Sequence, residues 1–180
     1  VDRGLARSRE RAQALVMAGV VRVDGAPAGK PGALVREGAR LQILEPDHPF
    51  VGRGGVKLSG ALERLGVETR GRVVLDVGSS TGGFTDCLLR GGAVRVYALD
   101  VGEGLLDWSL RNDPRVVVLE GRNARYLRAG DLPEAVSLVV VDVSFISLRL
   151  ILPALPPLLP PGGEVLALVS KPDFNLSTFA

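Results

Sequence analysis

Cysteine and histidine are almost absent from this chain of 180 residues, which contains one of each. The single cysteine, Cys87, excludes an internal disulfide, so a reducing cytoplasm is the simplest expected compartment. The lone His48 has no second histidine or cysteine near it in sequence, and we therefore expect no metal site. Aromatic residues make up only 4% of the chain, but 46% of its residues are apolar, which is enough for a buried core.

The chain also lacks a long, uninterrupted apolar run. Its most apolar region, residues 136–159, contains Asp142, Arg149 and three prolines, which a membrane-spanning helix would carry only at high cost. The first residues do not form a basic-then-apolar leader. These features predict a cytoplasmic protein without a membrane partner.

Neither sign of charge is in large excess, since the net charge is only +2. The two parts of the chain nevertheless differ in the sign of their net charge. Residues 1–72 contain 13 Lys and Arg against 8 Asp and Glu, whereas residues 73–180 contain 9 against 12. A basic front on a mildly acidic remainder favours contact with a polyanion through the front of the chain. An ordinary solvated arginine surface is the alternative, and charge does not decide between the two.

The most informative stretch present is residues 72–84, in which an apolar run leads into glycines. Residues 73–77 predict a buried parallel strand, and the helix that follows is expected to begin near Gly82. Gly78, Gly82 and Gly83 allow a sharp turn and a close approach to a ligand. Three residues separate Gly78 from Gly82, so the spacing differs from the G-x-G-x-x-G fingerprint of dinucleotide binding.

Two acids near this turn indicate the ligand class. Asp76 lies at the end of the strand, where a carboxylate can meet a cationic ligand. Asp100 ends the next predicted strand and follows Gly78 by 22 residues, near the offset of an acid that binds a ribose. Together they suit a nucleoside without a pyrophosphate, such as S-adenosylmethionine. The alternative is a tight turn with an acid that caps a helix.

Further apolar runs predict a doubly wound parallel sheet in an α/β fold. The predicted strands cover residues 73–77, 95–100, 116–119, 138–142 and 165–169. Asp142 ends the fourth strand at the same edge as the other acids. We expect Trp108 in the core or in a pocket wall, and Asn123 at an adenine edge.

Residues 1–45 predict a small α+β module, residues 46–55 a Pro/Gly connector, and residues 56–180 the sheet domain. The module begins with a helix over 8–19, on which Ala12, Leu15 and Val16 form a buried face with Met17 beside them. The arginines of this helix can face outward.

The first module resembles the RNA-binding module named after ribosomal small-subunit protein four, through residues 4–13, 18–19, 21–25 and 30–32. The resemblance implies contact with RNA shape and phosphates rather than base reading, and it implies that the chain begins inside the module. The expected RNA contacts are arginines of the module and of the connector: Arg3, Arg7, Arg9, Arg11 and Arg53.

Residues 53–58, 75–86, 113–116, 123–125 and 141–147 resemble the TlyA family. These are ribosomal RNA 2′-O-methyltransferases, historically called haemolysins, with a catalytic domain of the FtsJ type. The resemblance implies a Rossmann-like class I methyltransferase fold, S-adenosylmethionine as cofactor, and ribosomal RNA or ribosomal subunits as partner, with cytidine as the modified nucleotide. The implied cofactor contacts are glycines, acids and polar residues along one edge of the sheet: Asp76, Gly78, Ser80, Gly82, Gly83, Asp100 and Asn123.

The same resemblance implies a catalytic Lys-Asp-Lys-Glu tetrad, in which Lys57, Asp142 and Lys171 match the first three members. On spacing alone, Lys57 is more typical of a solvated surface lysine. The chemistry suits these residue types, because a ribose hydroxyl must be aimed at the methyl group and relieved of its proton. An amine can take that proton when burial and a second ammonium lower its pKa.

The end of the chain departs from the family pattern. Ser170 is an extra residue that is expected to shift Lys171, and the chain stops before the position of the tetrad's glutamate. The sheet is therefore expected to be truncated after the fifth strand, with an uncovered edge. An RNA-binding protein without activity and a membrane-damaging haemolysin are the alternatives, while the glycine spacing disfavours a nicotinamide-dependent oxidoreductase.

Overall fold

The computed structural model describes residues 2–6, 9–17, 19–44, 48–143 and 146–169. The chain divides into two compact units, residues 1–49 and residues 50–180. Residues 50–55, predicted as part of a connector, belong to the second unit, because Phe50 and Gly55 pack closely on each other and Gly55 also lies against Gly83.

The described residues of the first unit form one helix and a three-stranded antiparallel sheet. Helix α1 spans Arg9–Met17, and strands β1 (Val21–Val23), β2 (Ala26–Pro27) and β3 (Leu41–Ile43) pair in the order β2-β1-β3. The β1–β2 turn has positive φ at Asp24 (49°) and Gly25 (86°), as a tight hairpin requires.

A small apolar cluster of Ala6, Leu15 and Val20 holds the first unit together. Ala12 packs against this cluster, as the helix pattern predicts. Met17 does not join the buried face, because its position at the end of α1 leaves it 79% exposed.

The second unit is built on the predicted parallel sheet, which is confirmed. Strands β4 (Val73–Val77), β5 (Arg95–Leu99), β6 (Val116–Leu119), β7 (Leu138–Val141) and β8 (Glu164–Ala167) are ordered β6-β5-β4-β7-β8. Every pairing is parallel. From β4 the chain adds β5 and β6 on one side, then crosses back and adds β7 and β8 on the other side. This reversal places a crevice at the carboxyl ends of β4, β5 and β7.

Helices cover both faces of this sheet. Helices α2 (Gly54–Leu65), α3 (Gly83–Arg90) and α4 (Trp108–Arg111) lie on one face, and α5 (Leu148–Ile151) with short 3₁₀ turns lies on the other. Because side chains alternate along a strand, Val74 of β4 faces the α2–α3 layer while Leu75 and Val77 face the α5 layer. Both layers are fully buried at these positions, which makes the sheet a rigid platform for its carboxyl edge.

Candidate functional site

A cavity of about 650 Å³ opens at the carboxyl edge of the sheet. Its floor is formed by the ends of β4, β5 and β7 and the residues that follow them. Gly78, Ser80, Asp100, Asn123 and Asp142 contribute to its wall, so five sequence-predicted site residues come together there. These residues are close because parallel strands present their carboxyl ends at the same edge.

Gly78 sets the shape of the turn after β4. Its φ is +86°, and a Cβ at this position would lie 2.5 Å from the carbonyl oxygen of Asp142. The backbone N–H of Gly78 donates to the Leu99 carbonyl at 2.9 Å, which continues the β4–β5 pairing past the strand. Only glycine therefore lets the loop press against the residue that follows β7.

Asp100, which follows the neighbouring strand β5, stabilises the glycine loop through hydrogen bonds. Its Oδ2 accepts a hydrogen bond from the Ser80 N–H at 2.8 Å, and its Oδ1 accepts one from the Gly102 N–H at 2.8 Å. Ser80 has a φ of +48°, an uncommon conformation for a residue with a side chain. The bond to Asp100 holds Ser80 there, and each carboxylate oxygen keeps a lone pair for a ligand.

Gly82 and Gly83, predicted as cofactor contacts, do not line the cavity; they are packing residues in this structure. A Cβ at Gly82, whose φ is +97°, would lie 2.3 Å from a methyl carbon of Leu110. A Cβ at Gly83 would lie 2.9 Å from the backbone nitrogen of Gly55. These glycines bring the start of α3 against α4 and α2, and the ligand-facing part of the loop is Gly78 and Ser80.

Asp76 does not line the cavity either, because it shares the face of β4 that packs against α3. Its side chain is fully buried, and its Oδ2 accepts a hydrogen bond from the Thr85 hydroxyl at 2.7 Å. Its Oδ1 has no hydrogen-bond partner in the structure. Burial raises the pKa of Asp76 from 3.8 to about 7, and the hydrogen bonds from Thr85 oppose that rise.

Lys57 and Asp142 form an ion pair beside the cavity. Lys57 lies in the first turns of α2, Asp142 directly follows β7, and Lys57 Nζ lies 3.8 Å from Asp142 Oδ2. The side chains are 63% and 30% exposed, so a large substrate can reach both. The sheet and α2 thus bring together two residues that are far apart in sequence, as the resemblance implies.

Other predicted residues are placed as follows. Asn123 lines the cavity, and its Oδ1 accepts a hydrogen bond from the Arg125 N–H at 3.0 Å, which caps the 3₁₀ turn Ala124–Tyr126. Lys171 and the extra Ser170 lie outside the described residues, so the position of a second amine and its influence on Lys57 remain predictions.

The apolar side of the cavity was not predicted from the sequence. Val101, Leu105, Ile146 and Leu150 line it, and Leu105 and Leu150 are each 47% exposed. The signal that could have found Val101 and Leu105 is their position just after Asp100, in the loop that must cross the carboxyl edge. Trp108, predicted in the core or a pocket wall, is instead 78% exposed, because α4 directs Leu110 toward the core.

The predicted RNA-contacting arginines are only partly described. In the first unit, Arg3 donates to the Ala39 carbonyl at 2.5 Å, and Arg9 is exposed at the start of α1. Arg53 is exposed next to the first residue of α2 in the second unit. Arg7 lies outside the described residues, as does the side chain of Arg11.

No helix in the described part of the chain is long and apolar enough to cross a membrane. Among the same described residues, no group of His, Cys, Asp and Glu side chains is arranged to hold a metal ion.

Comparison with known families divides the chain in the same way as the structure. The FtsJ-like methyltransferase family matches residues 50–176, and the S4 domain matches residues 1–41.

Individual proteins match over nearly the whole chain. The 16S/23S rRNA (cytidine-2′-O)-methyltransferase TlyA of Mycobacterium tuberculosis is 50% identical over 177 residues, which are 98% of this chain and 66% of that protein. The putative rRNA methyltransferase YqxC of Bacillus subtilis is 46% identical over 176 residues, 97% of this chain and 62% of that protein. The chain thus spans slightly less than two thirds of the length of these relatives.

A solved structure shows the same fold. The putative hemolysin from Streptococcus thermophilus superposes with a TM-score of 0.72 at 44% sequence identity, covering 93% of this chain and 62% of that chain.

Proposed function

We propose that this chain, which belongs to the FtsJ-like methyltransferase family, methylates a ribose 2′-hydroxyl of ribosomal RNA with S-adenosylmethionine as the methyl donor. The observation that carries the proposal is the Lys57–Asp142 ion pair at the cavity wall formed by Gly78 and Asp100. Cytidine as the modified nucleotide, and the cytoplasm as the location, are parts of the same proposal.

The residues of the cavity fit an adenosyl sulfonium ligand. The volume of about 650 Å³ lies in the usual range for small-molecule sites. Asp100 and Asn123 provide oxygen and amide groups for a ribose and a base, while Val101, Leu105 and Ile146 provide apolar contacts for the adenine faces. The cofactor, when bound, supplies an electrophilic methyl group on a positively charged sulfur.

Lys57 and Asp142 act on the RNA hydroxyl. Asp142 holds the Lys57 amine at the rim of the cavity, and both groups can contact a ribose that approaches from solvent. The ammonium form of Lys57 can orient the hydroxyl, but only its unprotonated amine, which has a free lone pair, can take the hydroxyl proton as the new bond forms. Both roles require hydrogen-bond reach. Because the wall beside Asp142 is apolar at Ile146 and Leu150, a bound substrate would exclude water from the reacting groups.

The first unit supports RNA as the substrate. Its match to the S4 domain and its exposed arginines suit contact with phosphates, which position a nucleic acid without reading its sequence. One named relative is an rRNA methyltransferase and the other a putative rRNA methyltransferase, so ribosomal RNA or a ribosomal subunit is the proposed partner.

Radiolabel transfer to ribosomal subunits, with calorimetry of cofactor binding, tests the proposal. We expect Lys57→Ala to lower methyl transfer by about 10²- to 10⁴-fold, the usual contribution of an acid–base group, and to change cofactor affinity only a few-fold. Lys57→Arg is the matched control for charge, because arginine keeps the ion pair but stays protonated. It should be as inactive as the alanine variant.

Three outcomes would count against the proposal. Normal turnover by Lys57→Arg would show that Lys57 is not the base. Cofactor and RNA binding by the wild type without any methyl transfer would favour a non-catalytic RNA-binding protein. Release of dye from liposomes by the wild type would support the haemolysin alternative.

A further inference from the structure

We infer that the second unit carries its own RNA-contacting patch, formed by Arg122, Arg125 and Tyr126 at the mouth of the cavity. The patch lies outside the S4-type unit, in the part of the chain whose overall charge is negative. The inference rests on the proposed function and adds the surface over which the RNA passes on its way to the reacting groups.

The patch stands out in the local sequence. Residues 121–130 contain three arginines and no acid, although residues 73–180 as a whole carry more Asp and Glu than Lys and Arg. Arg122, Arg125 and Tyr126 are all exposed, and Tyr126 is 70% exposed. A large aromatic residue that stays in solvent among arginines is typical of a nucleic-acid surface.

The geometry fixes the patch beside the cavity. The Arg122 N–H donates to the Asp100 carbonyl at 3.1 Å, and Arg125 lines the cavity next to Asn123 and Ala124. Buried Ala124 anchors the turn to the sheet. The patch is therefore carried by the same rigid segment that shapes the cofactor cavity.

The guanidinium groups of the patch are not occupied by carboxylates of the described residues. The Arg125 guanidinium lies 5.4 Å from the centre of the Tyr126 ring, within the range of a cation–π contact. Among the described residues, neither Arg122 nor Arg125 forms an ion pair, whereas nearby Arg111 pairs with Glu120 at 2.6 Å. Their guanidinium groups remain available for phosphate oxygens, which they can bind in bidentate fashion.

The chemistry of the patch selects single-stranded or looped RNA. Arginine binds the backbone of any nucleic acid, but an exposed aromatic ring gains most from a base that is already unstacked. A nucleotide that projects from the surrounding RNA would bring its 2′-hydroxyl to Lys57 and Asp142 with its base free to stack. We therefore expect Tyr126 to stack on a base close to the modified nucleotide, with Arg122 and Arg125 on the flanking phosphates.

The test uses the 180-residue chain and a fluorescently labelled ribosomal RNA hairpin with an unpaired loop. Binding is followed by anisotropy at several salt concentrations. We expect Tyr126→Ala to weaken binding by about 5- to 150-fold, the range for loss of one stacked base, and Tyr126→Phe to bind as the wild type. Arg122→Ala and Arg125→Ala should each reduce the slope of log affinity against log salt by about 0.7, as expected for one phosphate of a single strand.

Arg70→Ala is the matched control for charge. Arg70 is exposed and precedes β4, so it lies at the opposite edge of the sheet from the cavity. This variant should leave both affinity and salt slope unchanged. Cofactor affinity and thermal stability are measured for every variant, to separate loss of RNA contact from damage to the cavity.

The outcomes distinguish this inference from the proposed function. Methyl transfer by the wild type, combined with wild-type RNA binding by Arg122→Ala and Tyr126→Ala, would overturn the patch and leave the function intact. Loss of cofactor affinity with unchanged RNA affinity would also overturn it, because the patch would then serve the cofactor. RNA binding through the patch without methyl transfer would contradict the proposed function alone.

Discussion

Replacing Asp76 by asparagine should make the protein more stable at alkaline pH and should remove a specific pH dependence of unfolding. The wild-type carboxyl group is fully buried, and one of its oxygens has no hydrogen-bond partner in the structure. Burial raises its pKa from 3.8 to about 7. The folded protein therefore holds this proton over a pH range in which the unfolded chain has already released it.

The sign and size follow from proton linkage. A raised carboxyl pKa contributes stability that is fully present below pH 3.8 and is lost as the pH rises through about 7. Since one pKa unit corresponds to about 1.4 kcal/mol, the full contribution is about 4 kcal/mol, and more than half of it is lost between pH 5 and pH 8. Asparagine keeps an acceptor for Thr85 and cannot ionise, so this contribution is constant in the variant.

Urea unfolding of the ligand-free wild type and of Asp76→Asn, repeated from pH 5 to pH 8.5, measures the effect. Subtracting the curve of free energy of unfolding against pH for the wild type from that for the variant cancels the other titrating groups. The difference should grow by about 2–3 kcal/mol in favour of the variant between pH 5 and pH 8. Thr85→Val supplies a second check, because it removes the side-chain hydrogen bond that lowers the Asp76 pKa in the folded protein. The loss of stability should then begin at the same pH but continue to higher pH and become larger. A difference curve that stays flat with pH would refute the reasoning.

Further expected outcomes concern burial and packing. Burial raises the pKa of Cys87 from 9.0 to about 11, so native protein at pH 8 should react with iodoacetamide about 100-fold more slowly than urea-unfolded protein; equal rates would contradict this. Gly82→Ala should lower the free energy of unfolding by about 1–3 kcal/mol, because its Cβ would overlap Leu110 at a φ of +97°. In the control Gly60→Ala, the Cβ would meet nothing within 4 Å inside α2, and we expect a gain of about 0.5–1 kcal/mol. Trp108→Ala should change stability by less than about 0.5 kcal/mol, as for other exposed positions; a loss of several kcal/mol in denaturant unfolding would show that the ring packs on the protein.

The sequence by itself determined the sheet and the position of its crevice. Runs such as residues 73–77 and 138–141 are recognisable because parallel strands covered on both faces are apolar at nearly every position. Gly78 and Asp100 were predicted at the crevice from their spacing, since the ends of adjacent parallel strands meet at one edge. The pairing of Lys57 with Asp142 was expected from the family resemblance alone, because no local sequence pattern in either segment predicts a contact with the other.

Tertiary structure decided which of the predicted residues face the cavity. Asp76 and Asp100 look equivalent in sequence, but the two-residue alternation of β4 turns Asp76 toward α3, whereas Asp100 lies just beyond β5 and is free to reach the glycine loop. Gly82 and Gly83 have no side chain because α4 and α2 pack closely against them. That packing joins segments that are distant in sequence. Tyr126 is exposed beside Arg125 because the buried Ala124 packs this turn against the sheet. No local sequence pattern specifies that contact.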